Sequence, residues 1–196
     1  MTTSREKVSI AVFAALSALL AALAITAAPP AAAAPDCENA DARARTVSEA
    51  EQEDAVRCLI NAERTARGLH TLKLQENLVE SARSHSVWEA KHNCISHDCP
   101  GEGDFATRIV RHGYPACKCK WKAGEVIGWR RIEASTAREI VEAWMHSSAH
   151  KANLMTPSRR EIGVGVVFGS PRPKDDDDEV EASIFTVNVG SRKPIK

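Results

Sequence analysis

The sequence predicts an α+β domain with a small antiparallel sheet, and three observations point there. Apolar residues recur at helical spacing through the first half of the folded part, over 47–91. Two runs rich in β-branched residues, IGVGVVF (162–168) and ASIFTVNV (182–189), close the chain. Helices therefore precede strands without βαβ alternation, and no internal repeat is visible.

The first element is an address label. A basic, polar start (MTTSREK) leads into the apolar run VSIAVFAALSALLAALAITAA and then APPAAAAP, whose small residues suit a signal peptidase. Residues 1–35 read as a secretory signal, 36–52 as a polar arm and 53–192 as the domain. The apolar run could also span a bilayer, so an uncleaved N-terminal membrane anchor is the alternative. After cleavage no transmembrane segment is expected, and about 160 residues remain, enough for one core. Removing Arg5, Glu6 and Lys7 turns 26 basic and 26 acidic residues into 24 and 25. That near-neutral balance, with cations scattered along the chain, argues against nucleic acid as a partner and against a polybasic membrane patch.

Val47–Arg67 reads as a helix with Val56, Leu59 and Ile60 on one face and Gly68 as its stop. LHTLKL is a connector. Gln75–Lys91 is a second helix, with Leu78, Ala82 and His85 at helical spacing. HNCISHDCPGEGD breaks every periodicity and is loop; FATRIVRHGY is a short third helix ended by Gly113. Lys122–Trp129 is a strand. Thr136 and Glu139 have capping-box spacing ahead of Ile140, Val141 and Trp144, on a helix that should end near Ser147. SPRPKDDDDEVE, between the last strands, reads as a solvated loop; it lacks the ligand alternation of an EF-hand, which sets calcium aside.

All six cysteines follow the leader, so disulfides are expected. Six cysteines allow fifteen pairings. Cys94 with Cys99 is favoured, closing a short loop around His97 that contributes about 2 kcal/mol through chain entropy. Cys37 with Cys58 would pin the arm to the first helix. Cys117 and Cys119 remain, very close for a relaxed bridge. A zinc cluster of Cys94, Cys99, Cys117 and Cys119 is the rival reading, but the C-x-x-C spacing is missing.

HSSAH (146–150) has the spacing of the zinc-protease motif H-E-x-x-H, with Ser147 in place of the catalytic glutamate. On an unbroken helix His146 and His150 would share one ion. A helix ending near Ser147 removes that geometry. No G-x-S-x-G elbow is present, and Ser96, Ser147 and Ser148 have no dedicated base. His85 sits at a core-facing position and reads as a histidine satisfied within the fold. His146, His112, His92 and His70 read as surface residues. Among the tryptophans, Trp88 and Trp144 fit core positions, whereas Trp121, between Lys120 and Lys122, suits an exposed contact.

CLINAERTARGLHTLKL, ARSHSVWEA, ISHDC, GEVIGW, AWMHSSAHKANLM and EIGVGVVF occur in one order, and together they resemble the CAP superfamily. This comprises cysteine-rich secretory proteins, antigen 5 and plant pathogenesis-related proteins. The chain is most similar to its short bacterial SCP-like members, over roughly residues 53–190. The resemblance implies a three-layer α-β-α sandwich around the central sheet and a cleft of two histidines and two acids. It carries the first histidine onto His97, a glutamate onto Glu125 and the second histidine onto His150; the second acid falls at Ser147, where this sequence departs. It also implies sterols, fatty acids or a cell-envelope component as ligands.

Function is expected to be that of a secreted binding module. Its cleft of His97, Glu125 and His150 would hold Zn²⁺ or another divalent cation weakly, since two imidazoles leave several positions to water. The competing reading is a metal-assisted hydrolase using the same residues with Glu125 as base. An envelope-anchored structural protein follows if the leader is retained.

Overall fold

The computed structural model describes residues 36–172 and 181–195. The leader and the acidic stretch 173–180 lie outside the described residues.

The chain forms α1 (Glu49–Thr65), β1 (Lys73–Leu74), α2 (Glu76–His92), α3 (Phe105–Arg111), β2 (Cys119–Arg131), α4 (Ala137–His146), α5 (Ser148–Leu154), β3 (Glu161–Val167) and β4 (Ala182–Pro194). Local chemistry sets the helix ends. Ser48 and Glu51 cap α1 reciprocally, Thr136 and Glu139 cap α4 in the same way, and Gly68 leaves α1 with φ +68°. Asn93 ends α2 in the left-handed region, φ 50°.

The strands lie in the order β1-β3-β4-β2. The three long strands are antiparallel, as expected; β1 adds a two-residue parallel edge on β3, so the sheet is mixed. Lys73 and Leu74 belong to the connector LHTLKL, too short to show any alternation. β2 and β4 both run further than expected, because Cys119–Trp121 pairs with Arg192–Pro194, whose lysines and proline give no strand signal of their own.

Each sheet face has its own composition. One carries Val126, Ile162, Val164, Val166, Phe185, Val187 and Val189 into the main core, against Val56, Leu59 and Ile60 of α1 and Ile140, Val141 and Trp144 of α4. Each fully buried aliphatic there contributes about 1.5–3 kcal/mol. Trp144 donates its indole N–H to the Ile127 carbonyl at 3.0 Å, fastening α4 to β2. The other face is small and polar. A Cβ at Gly163 or Gly165 would overlap the backbone of α2 itself, at Leu78 and Val79 or at Ala82 and Arg83. The glycines let α2 lie against the sheet, where Ser86 donates to Thr186 at 2.9 Å. α1 and α4 on one face and α2 on the other give the expected three-layer α-β-α sandwich.

All three cysteine pairs are disulfides: Cys37–Cys58, Cys94–Cys99 and Cys117–Cys119. The thiolate zinc cluster is thereby excluded. Among the described residues no helix is long and apolar enough to cross a membrane.

Candidate functional site

Helix α4 stops at His146. Ser147 takes extended backbone angles, φ −91° and ψ 119°, before α5 restarts at Ser148. His146 and His150 therefore sit on different helices, and the likeness of HSSAH to a zinc-protease helix is accidental. His146 is exposed, with Nδ1 against the Glu142 carbonyl at 2.8 Å.

His97, Glu125 and His150 come from three separate elements: the loop after α2, the middle of β2 and the start of α5. His97 Nδ1 lies 3.0 Å from Glu125 Oε1. Its ring is about half exposed, whereas the Glu125 side chain is 1% exposed. The hydrogen bond to Glu125 raises the His97 pKa above its ordinary value. Because Glu125 accepts, Nδ1 carries the proton in the neutral ring and leaves the Nε2 lone pair free. His150 is shifted the opposite way, lowered by burial and by the charge His97 can carry nearby, so it is neutral at pH 7. Asn153, one turn further along α5, donates to the Glu125 carbonyl at 2.9 Å and ties α5 to β2.

Beneath these three residues is a buried polar cluster that sequence reasoning missed. Arg108 of α3 is 1% exposed and donates from Nη2 to both Glu125 carboxylate oxygens, each at 2.7 Å. Its Nη1 donates to the His97 carbonyl at 2.9 Å and lies 3.4 Å from Glu102 Oε2. One guanidinium thus holds both the carboxylate and the backbone of the exposed histidine. Asn188, opposite Glu125 on β4, completes the cradle; with its amide turned to suit both neighbours it donates to Glu125 Oε2 at 3.1 Å. Burial works to raise the Glu125 pKa, but the His97 hydrogen bond and the charges of His85 and Arg108 outweigh it, so Glu125 is held ionised.

His85 is fully buried, as its helical position predicted, with Nδ1 2.8 Å from Glu102 Oε2. Its Nε2 lies 3.5 Å from Glu89 Oε1 and 3.9 Å from Glu125 Oε1. Burial pushes His85 down to about 4, Glu89 up to about 9 and Glu102 up to about 7. The cluster cannot hold three carboxylates against one guanidinium, so Glu89 keeps its proton at neutral pH. Glu89, Glu102 and Arg108 gave no signal in sequence because charged residues on or beside helices read as solvent-facing.

Among the described residues, no three His, Cys, Asp or Glu side chains are grouped to hold a metal ion. Glu125, expected as a third donor, has both oxygens taken by Arg108 and one by His97. That leaves the imidazoles of His97 and His150 as the nitrogen donors of the expected set, with Glu125 bonded to His97 Nδ1.

The sequence matches the CAP family of cysteine-rich secretory proteins across residues 58–188. The chain belongs to this family. Among curated proteins, this CAP domain is 36% identical over 110 residues to YkwD, an uncharacterised protein of Bacillus subtilis, covering 56% of the chain but only 40% of the relative. An outer surface protein of Borrelia burgdorferi shares the fold at a TM-score of 0.60 and 20% identity, over 75% of this chain and 97% of that one. An extracellular protein of Bacillus anthracis containing an SCP domain follows at 0.57 and 21%, over 74% and 44%.

Proposed function

We propose that this chain is an extracellular binding module whose cleft presents His97 and His150 to a divalent cation such as Zn²⁺. The observation that carries the reading is the 3.0 Å contact between His97 Nδ1 and Glu125, which leaves Nε2 as the free donor of a half-exposed ring, with His150 near enough to feel the charge His97 can carry. When bound, the ion would supply Lewis acidity to an oxygen of the partner molecule. The chain's own part is to hold the two rings, fix the His97 tautomer through Glu125 and leave the remaining coordination positions open. Three disulfides, the leader-like start and the extracellular and outer-surface nature of the structural neighbours support an exported location.

A hydrolase on the same residues is disfavoured by chemistry. Glu125 would have to serve as the base, yet Arg108 engages both its oxygens and its pKa is lowered. The position of the second acid is Ser147.

Calorimetric titration with Zn²⁺ at pH 7.5 tests the reading. Wild type should bind one ion, His97→Ala and His150→Ala should abolish binding, and Glu125→Gln should weaken it by about 10–100-fold. Equal binding in wild type and both histidine variants would end it.

A further inference from the structure

β3 stops pairing at Glu161, opposite Gly190, but β2 and β4 continue past it as a two-stranded ribbon. Beside that ribbon lies a cavity of about 450 Å³ lined by Lys120, Trp121, Lys122, Arg160, Arg192 and Lys193, with two serines and no carboxylate. These cations come from three short stretches, at 120–122, 160 and 192–193, far apart along the chain. Folding gathers them.

Arg192 is paired with Glu161; Lys120, Lys122, Lys193 and Arg160 have no carboxylate partner among the described residues. Lys120 and Lys193 sit directly opposite each other in the ladder. Like charges in that register oppose pairing. Trp121 is braced edge-on by Tyr114, ring centroids 5.9 Å apart, and gives the groove an apolar wall. A second hollow of about 330 Å³ shares Lys120 and Lys193 and adds the apolar Pro194 and Ile195.

We propose that this groove binds a linear polyanion bearing repeated phosphate groups, independently of the histidine cleft. Five cations around one groove, four of them without a carboxylate partner among the described residues, suit a chain of charges better than one ion. Its concavity suits a polymer strand better than a flat bilayer. For a linear polyanion, each phosphate neutralised releases counterions, so affinity falls steeply with salt.

The test is titration of the exported chain with linear polyphosphate in EDTA at about 50 and about 200 mM NaCl, followed by calorimetry. Inorganic phosphate and phosphatidylglycerol vesicles serve as parallel probes. Polyphosphate should bind at least tenfold more tightly than inorganic phosphate, and at least tenfold more weakly at the higher salt. The Lys120→Gln/Lys193→Gln double variant should lose at least tenfold in affinity while melting no lower than wild type, since a repulsion is removed. Arg67→Gln, in the turn just after α1, and His97→Ala should both bind like wild type. Unchanged binding in the double variant, inorganic phosphate binding as tightly as the polymer, or capture by vesicles but not by polyphosphate would each overturn the proposal. Loss in His97→Ala would do so too, by placing the anion at the other site.

Discussion

Replacing Glu89 with glutamine should remove about 1.4 kcal/mol per pH unit from the fall of the protein's stability between pH 7 and 8.5. Glu89 is fully buried, neither carboxyl oxygen has a hydrogen-bond partner, and burial pushes its pKa up to about 9 from an ordinary 4.5. Between those two values the folded chain holds one proton more than the unfolded chain. Stability therefore falls as pH rises, by about 1.4 kcal/mol per unit, and the contribution is fully present only below pH 4.5. Over about 1.5 units that is about 2 kcal/mol. The neighbours act in other windows or equally in both proteins. His85, pushed down to about 4, costs stability only as pH falls below 6.5. Glu102, at about 7, adds to the slope mainly below neutrality. His97, raised by Glu125, loses its contribution as pH climbs through its folded value, but does so in wild type and variant alike. No cysteine thiol is free to titrate. The substituted amide would keep the shape of the carboxyl group and could donate an N–H towards His85 Nε2. Urea unfolding at pH 7.0, 7.5, 8.0 and 8.5 would measure both slopes. A Glu89→Gln variant that loses stability in parallel with wild type would refute the assignment of a buried, protonated Glu89.

Arg108→Met should destabilise by about 3–5 kcal/mol, because it strands the buried Glu125 and Glu102 carboxylates; thermal unfolding with a loss under about 1 kcal/mol would contradict that. Gly165→Ala should cost about 3 kcal/mol or more, or prevent folding, since the new methyl overlaps the α2 backbone; normal expression with an unchanged melting temperature would show that α2 does not lie this close. Zn²⁺ affinity should fall as pH drops from 7.5 to 5.5, as His97 and then His150 take protons; calorimetry showing a pH-independent constant would exclude imidazole donors.

The helices and strands were legible because each rests on a local signal: the capping box at Thr136 and Glu139, the apolar stripes of α1 and α2, the β-branched strands; the layer order came from the resemblance. The break at Ser147 was legible too, and with it the separation of His146 from His150. α5 was not, since seven residues carry one buried apolar side chain, Leu154, and no period. For the cleft, the resemblance placed His97, Glu125 and His150, and in the fold the first two touch. It could not reveal Arg108, Glu102 and Glu89. Their burial arises only when α2, α3 and β2 converge, and on a short helix such as FATRIVR an arginine is indistinguishable from a solvent-facing one. The groove beside Trp121 was hidden for a related reason: its cations are separated by dozens of residues and meet only through the β2–β4 register.

The most direct measurement is a long-range ¹H–¹⁵N spectrum of the histidine rings at pH 8, before and after one equivalent of Zn²⁺. His97 should show a protonated Nδ1 and a bare Nε2, and the ion should shift His97 Nε2 together with one nitrogen of His150, leaving His85 and His146 unmoved. A proton on His97 Nε2, or zinc shifts centred on His146, would contradict the two-imidazole cleft.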